Sequence, residues 1–209
     1  MDTEDFLLEV QNYRIPPESP NGCVPGGYSY NFDRFSELLD VRSKCISLGM
    51  WALVTKRLAK QLANYINGRK VLEIMSGVGW LAKALADQGV DIHATDDYSW
   101  EGQGGYKDKR FLYPVHKLDC IKAIEADPHA ELLLVSWPHM TCQALIEAVK
   151  LWGSGRPVIY IGEGYEGCCA PNEFFDIFLT DETVDISMDT WPGIHDYVYI
   201  GVINEHNGH

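Results

Sequence analysis

Basic residues are scarce in this chain: 17 Lys and Arg stand against 30 Asp and Glu, a formal charge of −13 over 209 residues. A field of that sign repels phosphate backbones and anionic lipid, so nucleic acid is disfavoured as a partner and a membrane surface is not expected. Long apolar runs are missing as well. No stretch approaches the length that spans a bilayer, and the acidic start, Met1 to Asp5, does not read as a secretory leader. The six cysteines (23, 45, 120, 142, 168 and 169) form no C-x-x-C pair and no regular framework. Cys120 and the vicinal Cys168 and Cys169 read as reduced thiols, and the expected location is cytoplasmic. The histidines show no H-x-x-x-H or other ligand spacing, so no metal is expected.

What is present is ordinary for a soluble globular protein: 46% hydrophobic and 22% charged residues, in a length that suits one substantial core. The most informative stretch runs from Val71 to Trp100. Val71, Leu72 and Ile74 form a short apolar run of the kind buried on both faces of a sheet. Gly77 and Gly79 allow a sharp turn and a close ligand approach. Trp80, Leu81, Ala84 and Leu85 recur at helical spacing up to Gly89, and residues 91–95 form a second strand that ends at Asp96. A carboxylate at that point can accept paired hydrogen bonds from a ribose diol, so the unit reads as nucleoside-binding. Two ligand classes fit it. Gly77-Val-Gly79-Trp-Leu-Ala82 matches G-x-G-x-x-A, the dinucleotide fingerprint of NAD(P)-binding oxidoreductases. Glu73, buried within the first strand, points elsewhere, because a carboxylate there is costly without a role.

The flanking chain supplies the rest of the pattern. Residues 1–14 hold one or two amphipathic turns, and residues 15–31 carry too many Pro and Gly for lasting regular structure. That segment reads as a surface connector, or as a lid because of Tyr28, Tyr30 and Phe32. Residues 34–67 read as helical, with Trp51, Val54, Leu58, Leu62 and Tyr65 on one face. After a glycine-rich, aromatic loop over residues 97–106, further strands are expected at residues 111–117, 131–136 and 157–161. Helices follow at 121–126, after Thr141 as a cap, and after Pro171, with Phe174, Phe175 and Phe178 inward. The tail changes period. Val184, Ile186 and Met188, then Val198, Ile200 and Val202, alternate with polar or tyrosine positions and read as an antiparallel strand pair.

Glu73-Ile-Met75-Ser76-Gly77-Val-Gly79 resembles the E/D-x-G-x-G-x-G motif of class I S-adenosylmethionine-dependent methyltransferases, with Met75 at the first glycine position. Alternating β/α units closed by a hairpin are likewise similar to that family, over residues 71–203. The resemblance implies an α/β fold: a three-layer Rossmann-like, seven-stranded sheet, mostly parallel, with an antiparallel strand from a terminal hairpin. It divides the chain into an N-terminal extension, residues 1–69, packed on a Rossmann-like domain, residues 70–209. It implies S-adenosylmethionine as cofactor, held by Glu73, Met75, Ser76, Gly77, Gly79, Asp96, Asp119 and Ser136. Asp119 would accept from the adenine amino group, with an N-cap as the plain structural alternative. Ser136-Trp137-Pro138-His139 resembles the [D/N/S]-P-P-[Y/F/W] motif of amino-group methyltransferases, which makes Ser136 and His139 candidates for the acceptor site. Glu163 and His195 complete the catalytic candidates, since the terminal strand would bring His195 and Asp196 toward Glu163 as a proton-accepting pair. The expectation is N-methylation of a small-molecule or protein amine. The alternatives are an NAD(P)-binding oxidoreductase and a protein that binds S-adenosylmethionine without turnover.

Overall fold

The computed structural model describes residues 1–26, 34–101 and 110–204. The aromatic residues Tyr28, Tyr30 and Phe32, and most of the glycine-rich loop after Trp100, lie outside the described residues.

Helix α1 (Thr3–Gln11) starts where the Asp2 carboxylate accepts the Glu4 amide, and it is longer than the one or two turns expected. A short strand β1 (Val24–Pro25) follows the proline-rich segment. Residues 34–67 do not form one helix. Helix α2 (Phe35–Ser47) stops at Gly49, which takes φ +87°, and helix α3 (Lys56–Ile66) restarts where Thr55 Oγ1 accepts from the Leu58 amide. The interruption takes Met50 and Trp51 off the helix and places them on a loop.

The βα alternation then runs as the hydrophobic pattern requires: β2 (Val71–Ile74), α4 (Trp80–Ala86), β3 (Ile92–Asp96), β4 (Val115–Lys117), α5 (Cys120–Ala126), β5 (Leu132–Ser136), α6 (Gln143–Trp152) and β6 (Pro157–Gly162). Helix α7 (Asn172–Ile177) leads directly into β7 (Phe178–Thr180), so Phe178 opens a strand where a helical position was expected. β8 (Asp189–Thr190) and β9 (Tyr197–Ile203) complete the chain. Seven strands form one sheet in the order β4-β3-β2-β5-β6-β9-β7. β2 to β6 are parallel, and β9 enters antiparallel beside β6 with Gly162 opposite Tyr197. The fold is therefore the mostly parallel Rossmann-like sheet with one antiparallel insertion.

Alternation along the strands separates two apolar layers. Val71, Leu132, Leu134, Ile159 and Ile161 pack with helices α1 to α4, while Leu72, Ile74, Leu133, Val135 and Val158 pack with α5 to α7. Glu73 lies two residues after Val71, so its side chain belongs to the α4 side. The N-terminal helices share this layer. Phe6 meets Trp191 edge-on at 5.9 Å, Tyr13 stacks on Trp80 at 6.4 Å, and the Trp80 indole donates to the Leu48 carbonyl at 2.9 Å.

The tail needs one correction. Residues 184–188 are not a strand, and the antiparallel neighbour of β9 on its outer side is β7. Ile186 and Met188 are buried as single anchors of an irregular segment, so their alternation reflects packing rather than sheet pairing. The segment ends in β8, which pairs with β1 as a separate ribbon, Val24 opposite Thr190. Gly201 makes the β7–β9 pairing close enough to form: a Cβ there would lie 2.0 Å from the Leu179 carbonyl oxygen. Gly201→Ala is expected to lower stability in urea unfolding by about 1–3 kcal/mol. Asp185→Ala, in the exposed irregular segment, should stay within about 0.5 kcal/mol.

Candidate functional site

The carboxyl ends of the parallel strands open into a cavity of about 680 Å³, in the size range of pockets that enclose a drug-sized ligand. Its floor is the turn between β2 and α4. Three residues there take left-handed conformations: Met75 at φ +56°, Gly77 at φ +57° and Gly79 at φ +84°. Gly79 is needed for clearance as well, since a Cβ would meet Tyr113 at 3.0 Å and Val115 at 3.1 Å. Met75 adopts the same backbone region without being glycine, at a cost of about 1–3 kcal/mol that the surrounding fold must offset. Ser76 is tied back to β3, its hydroxyl and amide both donating to the Thr95 carbonyl at 3.0 Å.

Asp96 holds this floor together. One carboxylate oxygen accepts the Gly77 amide at 2.8 Å; the other accepts the Tyr98 amide at 2.7 Å and the Trp100 indole at 2.9 Å. Burial raises its pKa above the ordinary carboxylate range although these three donors pull it down. Glu73 is 1% exposed, and its Oε2 lies buried with no hydrogen-bond partner at the edge of the cavity. Burial, with the Asp96 charge beside it, pushes the Glu73 carboxyl up to about 8. A buried acceptor without a donor is costly, which marks Glu73 as a group prepared for something outside the protein.

Asp119 is the N-cap of α5. Its oxygens accept the Lys122 amide at 2.9 Å and the Lys122 ammonium at 2.7 Å, which hold its carboxyl below the usual range. It also lines the cavity, so capping leaves it within reach of a ligand.

At the end of β5, Ser136, Trp137, Pro138 and His139 all line the cavity. Trp137 sits at φ +52° with its amide donating to the Ile161 carbonyl at 2.9 Å. Its indole donates to Asp196 at 2.9 Å. Asp196 is fully buried, and its second oxygen has no partner. Burial pushes Asp196 up to about 7, with the Trp137 hydrogen bond opposing and the nearby Glu163 charge adding. Trp51, from the loop between α2 and α3, stacks on Trp137 at 5.7 Å and 28°. His139 Nδ1 accepts the Thr141 amide at 3.2 Å and lies 2.9 Å from the Thr141 hydroxyl. With Nδ1 accepting, the neutral imidazole carries its proton on Nε2 and offers a donor. Thr141 therefore serves His139; Cys142 occupies the N-cap of α6 that the sequence had suggested for it.

Glu163 and His195 are brought together but not into this cavity; they line a separate depression with Tyr197 and Tyr199. Glu163 accepts the His195 backbone amide at 2.9 Å and the Cys168 amide at 2.8 Å. Burial raises its carboxyl, yet these bonds outweigh burial and leave it below the usual range. The His195 ring lies against the Gly26 carbonyl, 3.2 Å from Nδ1. The expected His195–Glu163 pair is held by an amide–carboxylate clasp, the His195 backbone amide donating to Glu163, and the ring lies near enough to act on that carboxyl electrostatically.

Sequence reasoning missed Trp51 and Asp97 as cavity residues, and it placed Asp196 toward Glu163 without foreseeing its bond to the Trp137 indole. The Gly49 and Thr55 pair was the available signal for the Trp51 loop; nothing local marks the Asp196–Trp137 contact. Among the described residues, the charged groups lining the cavity are Glu73, Asp96, Asp97 and Asp119, and no Lys or Arg lines it.

No protein-family model matches the chain, and comparison with curated proteins gives no match. Among solved structures, the chain is similar to an S-adenosylmethionine-dependent methyltransferase from Archaeoglobus fulgidus at 15% identity, over 71% of this chain and 95% of that one, TM-score 0.43. It is similar to magnesium protoporphyrin IX methyltransferase from Synechocystis PCC 6803 with bound S-adenosylmethionine, at 12% identity over 84% and 92%, TM-score 0.47. A third is the 1,6-didemethyltoxoflavin-N1-methyltransferase of Burkholderia thailandensis with bound S-adenosylhomocysteine, at 12% identity over 83% and 85%, TM-score 0.46. Identities this low leave cofactor and reaction to be read from this chain's own side chains.

Glu73 and Asp196 bind their protons more tightly in the folded chain than in the unfolded one. Each therefore contributes stability that is complete below its ordinary value of 4.5 or 3.8 and is lost as pH rises through about 8 for Glu73 and about 7 for Asp196. Urea unfolding at successive pH values is expected to show stability falling between pH 5 and 8. Glu73→Gln should flatten that fall by up to ~1.4 kcal/mol per pH unit, and Asp196→Asn should flatten its lower part.

Proposed function

We propose that the chain is an S-adenosylmethionine-dependent methyltransferase acting on a nitrogen of a small-molecule or protein acceptor. The observation that carries this reading is the sign of the cavity: four carboxyl groups, of which burial keeps only Glu73 protonated at neutral pH, and, among the described residues, no lining cation. A cationic sulfonium with a neutral nucleoside suits such a lining, whereas a pyrophosphate does not. The Gly77 amide, which a dinucleotide fingerprint would offer to phosphate, already donates to the Asp96 carboxylate. That carboxylate would repel phosphate, so the oxidoreductase alternative is disfavoured.

When bound, S-adenosylmethionine supplies a methyl group already activated on sulfur. The chain's task is then to hold, align and exclude water. Glu73, with its unpartnered oxygen, would accept from a donor of the cofactor. Met75, Ser76, Gly77 and Gly79 shape the floor beneath it, Asp96 fixes that floor, and Asp119 stands at the strand end for the adenine. Ser136 would accept a hydrogen bond from the acceptor, and His139 would donate one through Nε2. Glu163 and His195 are assigned the support of the loops around the cavity rather than contact with substrate. The N-terminal extension, residues 1–69, contributes Met50 and Trp51 to the wall of the same cavity. All six cysteines are free thiols, which suits a cytoplasmic setting.

Calorimetric titration is expected to show saturable binding of S-adenosylmethionine and S-adenosylhomocysteine and none of NADH; NADH binding without either adenosyl ligand would reverse the assignment. Asp96→Ala removes the acceptor of three donors and should weaken S-adenosylmethionine binding by about 1–3 kcal/mol. An unchanged affinity would remove Asp96 from the cofactor site.

A further inference from the structure

The acceptor end of the cavity is more specific than an amine pocket. Trp51 is a large aromatic side chain left 38% exposed, more than any other tryptophan of the chain, and it lines the cavity while stacked on Trp137. Trp137 in turn cannot drift. Its backbone is held at φ +52° by the amide bond to Ile161, and its indole is pinned by the fully buried Asp196. The result is a rigid aromatic shelf beside Ser136. Planar π-systems stack on such shelves in offset geometry, and the gain is largest when the shelf is already ordered.

The titratable groups narrow the acceptor further. An alkylamine is protonated near neutral pH and must lose a proton before its lone pair can attack. Among the described residues, nothing lining the cavity is placed to take it. His139 Nδ1 is occupied by the Thr141 amide, Asp96 is held by three donors, Asp97 is turned to its own loop where it accepts the Ser99 amide, Asp119 is paired with Lys122, and Glu73 lies 1% exposed within β2. Glu163 and His195 open onto the separate depression. Anionic acceptors are opposed by the acidic lining.

We infer that the methyl acceptor is a planar heteroaromatic molecule with a weakly basic, pyridine-type ring nitrogen, laid against Trp51 with that nitrogen toward the methyl group and its polar ring substituents toward Ser136 and His139. This rests on the methyltransferase reading above and narrows it. The lone pair of such a nitrogen lies in the ring plane and is free at neutral pH. It forms the new nitrogen–carbon bond as the methyl–sulfur bond breaks; the sulfur leaves as a neutral thioether and the positive charge passes to the ring. No proton is removed, so no base is required. The cation that forms stays among the carboxyl groups of the cavity.

The test uses the full chain saturated with S-adenosylhomocysteine, with quinoline, cyclohexanol and benzoate as probes in calorimetric titration. Quinoline is expected to bind saturably, cyclohexanol, neutral but without a π-face, at least tenfold more weakly, and benzoate not at all. Trp51→Ala should weaken quinoline about fivefold or more, and Trp51→Phe should keep it within about threefold of the native chain. Thermal melting shows that the variants are folded; if Trp51→Ala is not, Trp51→Leu takes its place with the same expected loss. Failure of S-adenosylhomocysteine itself to bind overturns the cofactor assignment. If it binds, then no quinoline binding, equal binding of cyclohexanol, or quinoline affinity unchanged by the non-aromatic Trp51 variant overturns the heteroaromatic acceptor and leaves the methyltransferase reading standing.

Discussion

Everything at the open end of this sheet depends on one buried carboxylate accepting three hydrogen bonds. Asp96 closes β3, and its oxygens hold the Gly77 amide of the β2 turn, the Tyr98 amide of its own loop and the Trp100 indole. Each donor would otherwise need water, and the site is too buried to offer enough of it. The arrangement fixes the relative positions of two strand ends and of the wall beyond them. It also biases the cavity, because a floor closed by a carboxylate is hostile to phosphate and hospitable to a cation.

A second buried carboxylate plays the matching role on the other side. Asp196 enters on the strand that inserts antiparallel and fixes the Trp137 indole, on which Trp51 stacks. Two acids here lack a donor that Asp96 does not lack. Glu73 and Asp196 each keep a buried oxygen with no partner, and burial moves both toward neutral pH. The fold supports these costs with two continuous apolar layers, one on each face of the sheet. Expensive groups concentrated at the strand ends, and cheap ones elsewhere, are what a binding site built at the expense of stability looks like.

The N-terminal helices are part of this economy. Phe6 on Trp191, Tyr13 on Trp80 and the Trp80 indole on Leu48 draw the extension into the same layer as β2, β5 and β6. Trp51 reaches the cavity because α2 stops at Gly49 and α3 starts at Thr55. A continuous helix over that stretch would have turned the same residue into ordinary packing.

The sequence by itself determined the parallel βα alternation, the antiparallel last strand, the glycine turn and the acids at the strand ends, because each is written in local period and backbone freedom. Val71 to Ile74 reads as a buried strand whatever surrounds it, and Gly79 is needed wherever the turn is that tight. Tertiary structure alone decided which strand partners β9, since the 184–188 alternation belongs equally to a strand and to a buried irregular segment, and only the close approach of β7 at Gly201 distinguishes them. It also decided that Glu163 accepts the backbone amide of His195, that Trp51 faces a cavity, and that Asp196 anchors Trp137 from 59 residues away. Those contacts depend on how distant segments meet in space, and no local periodicity records that.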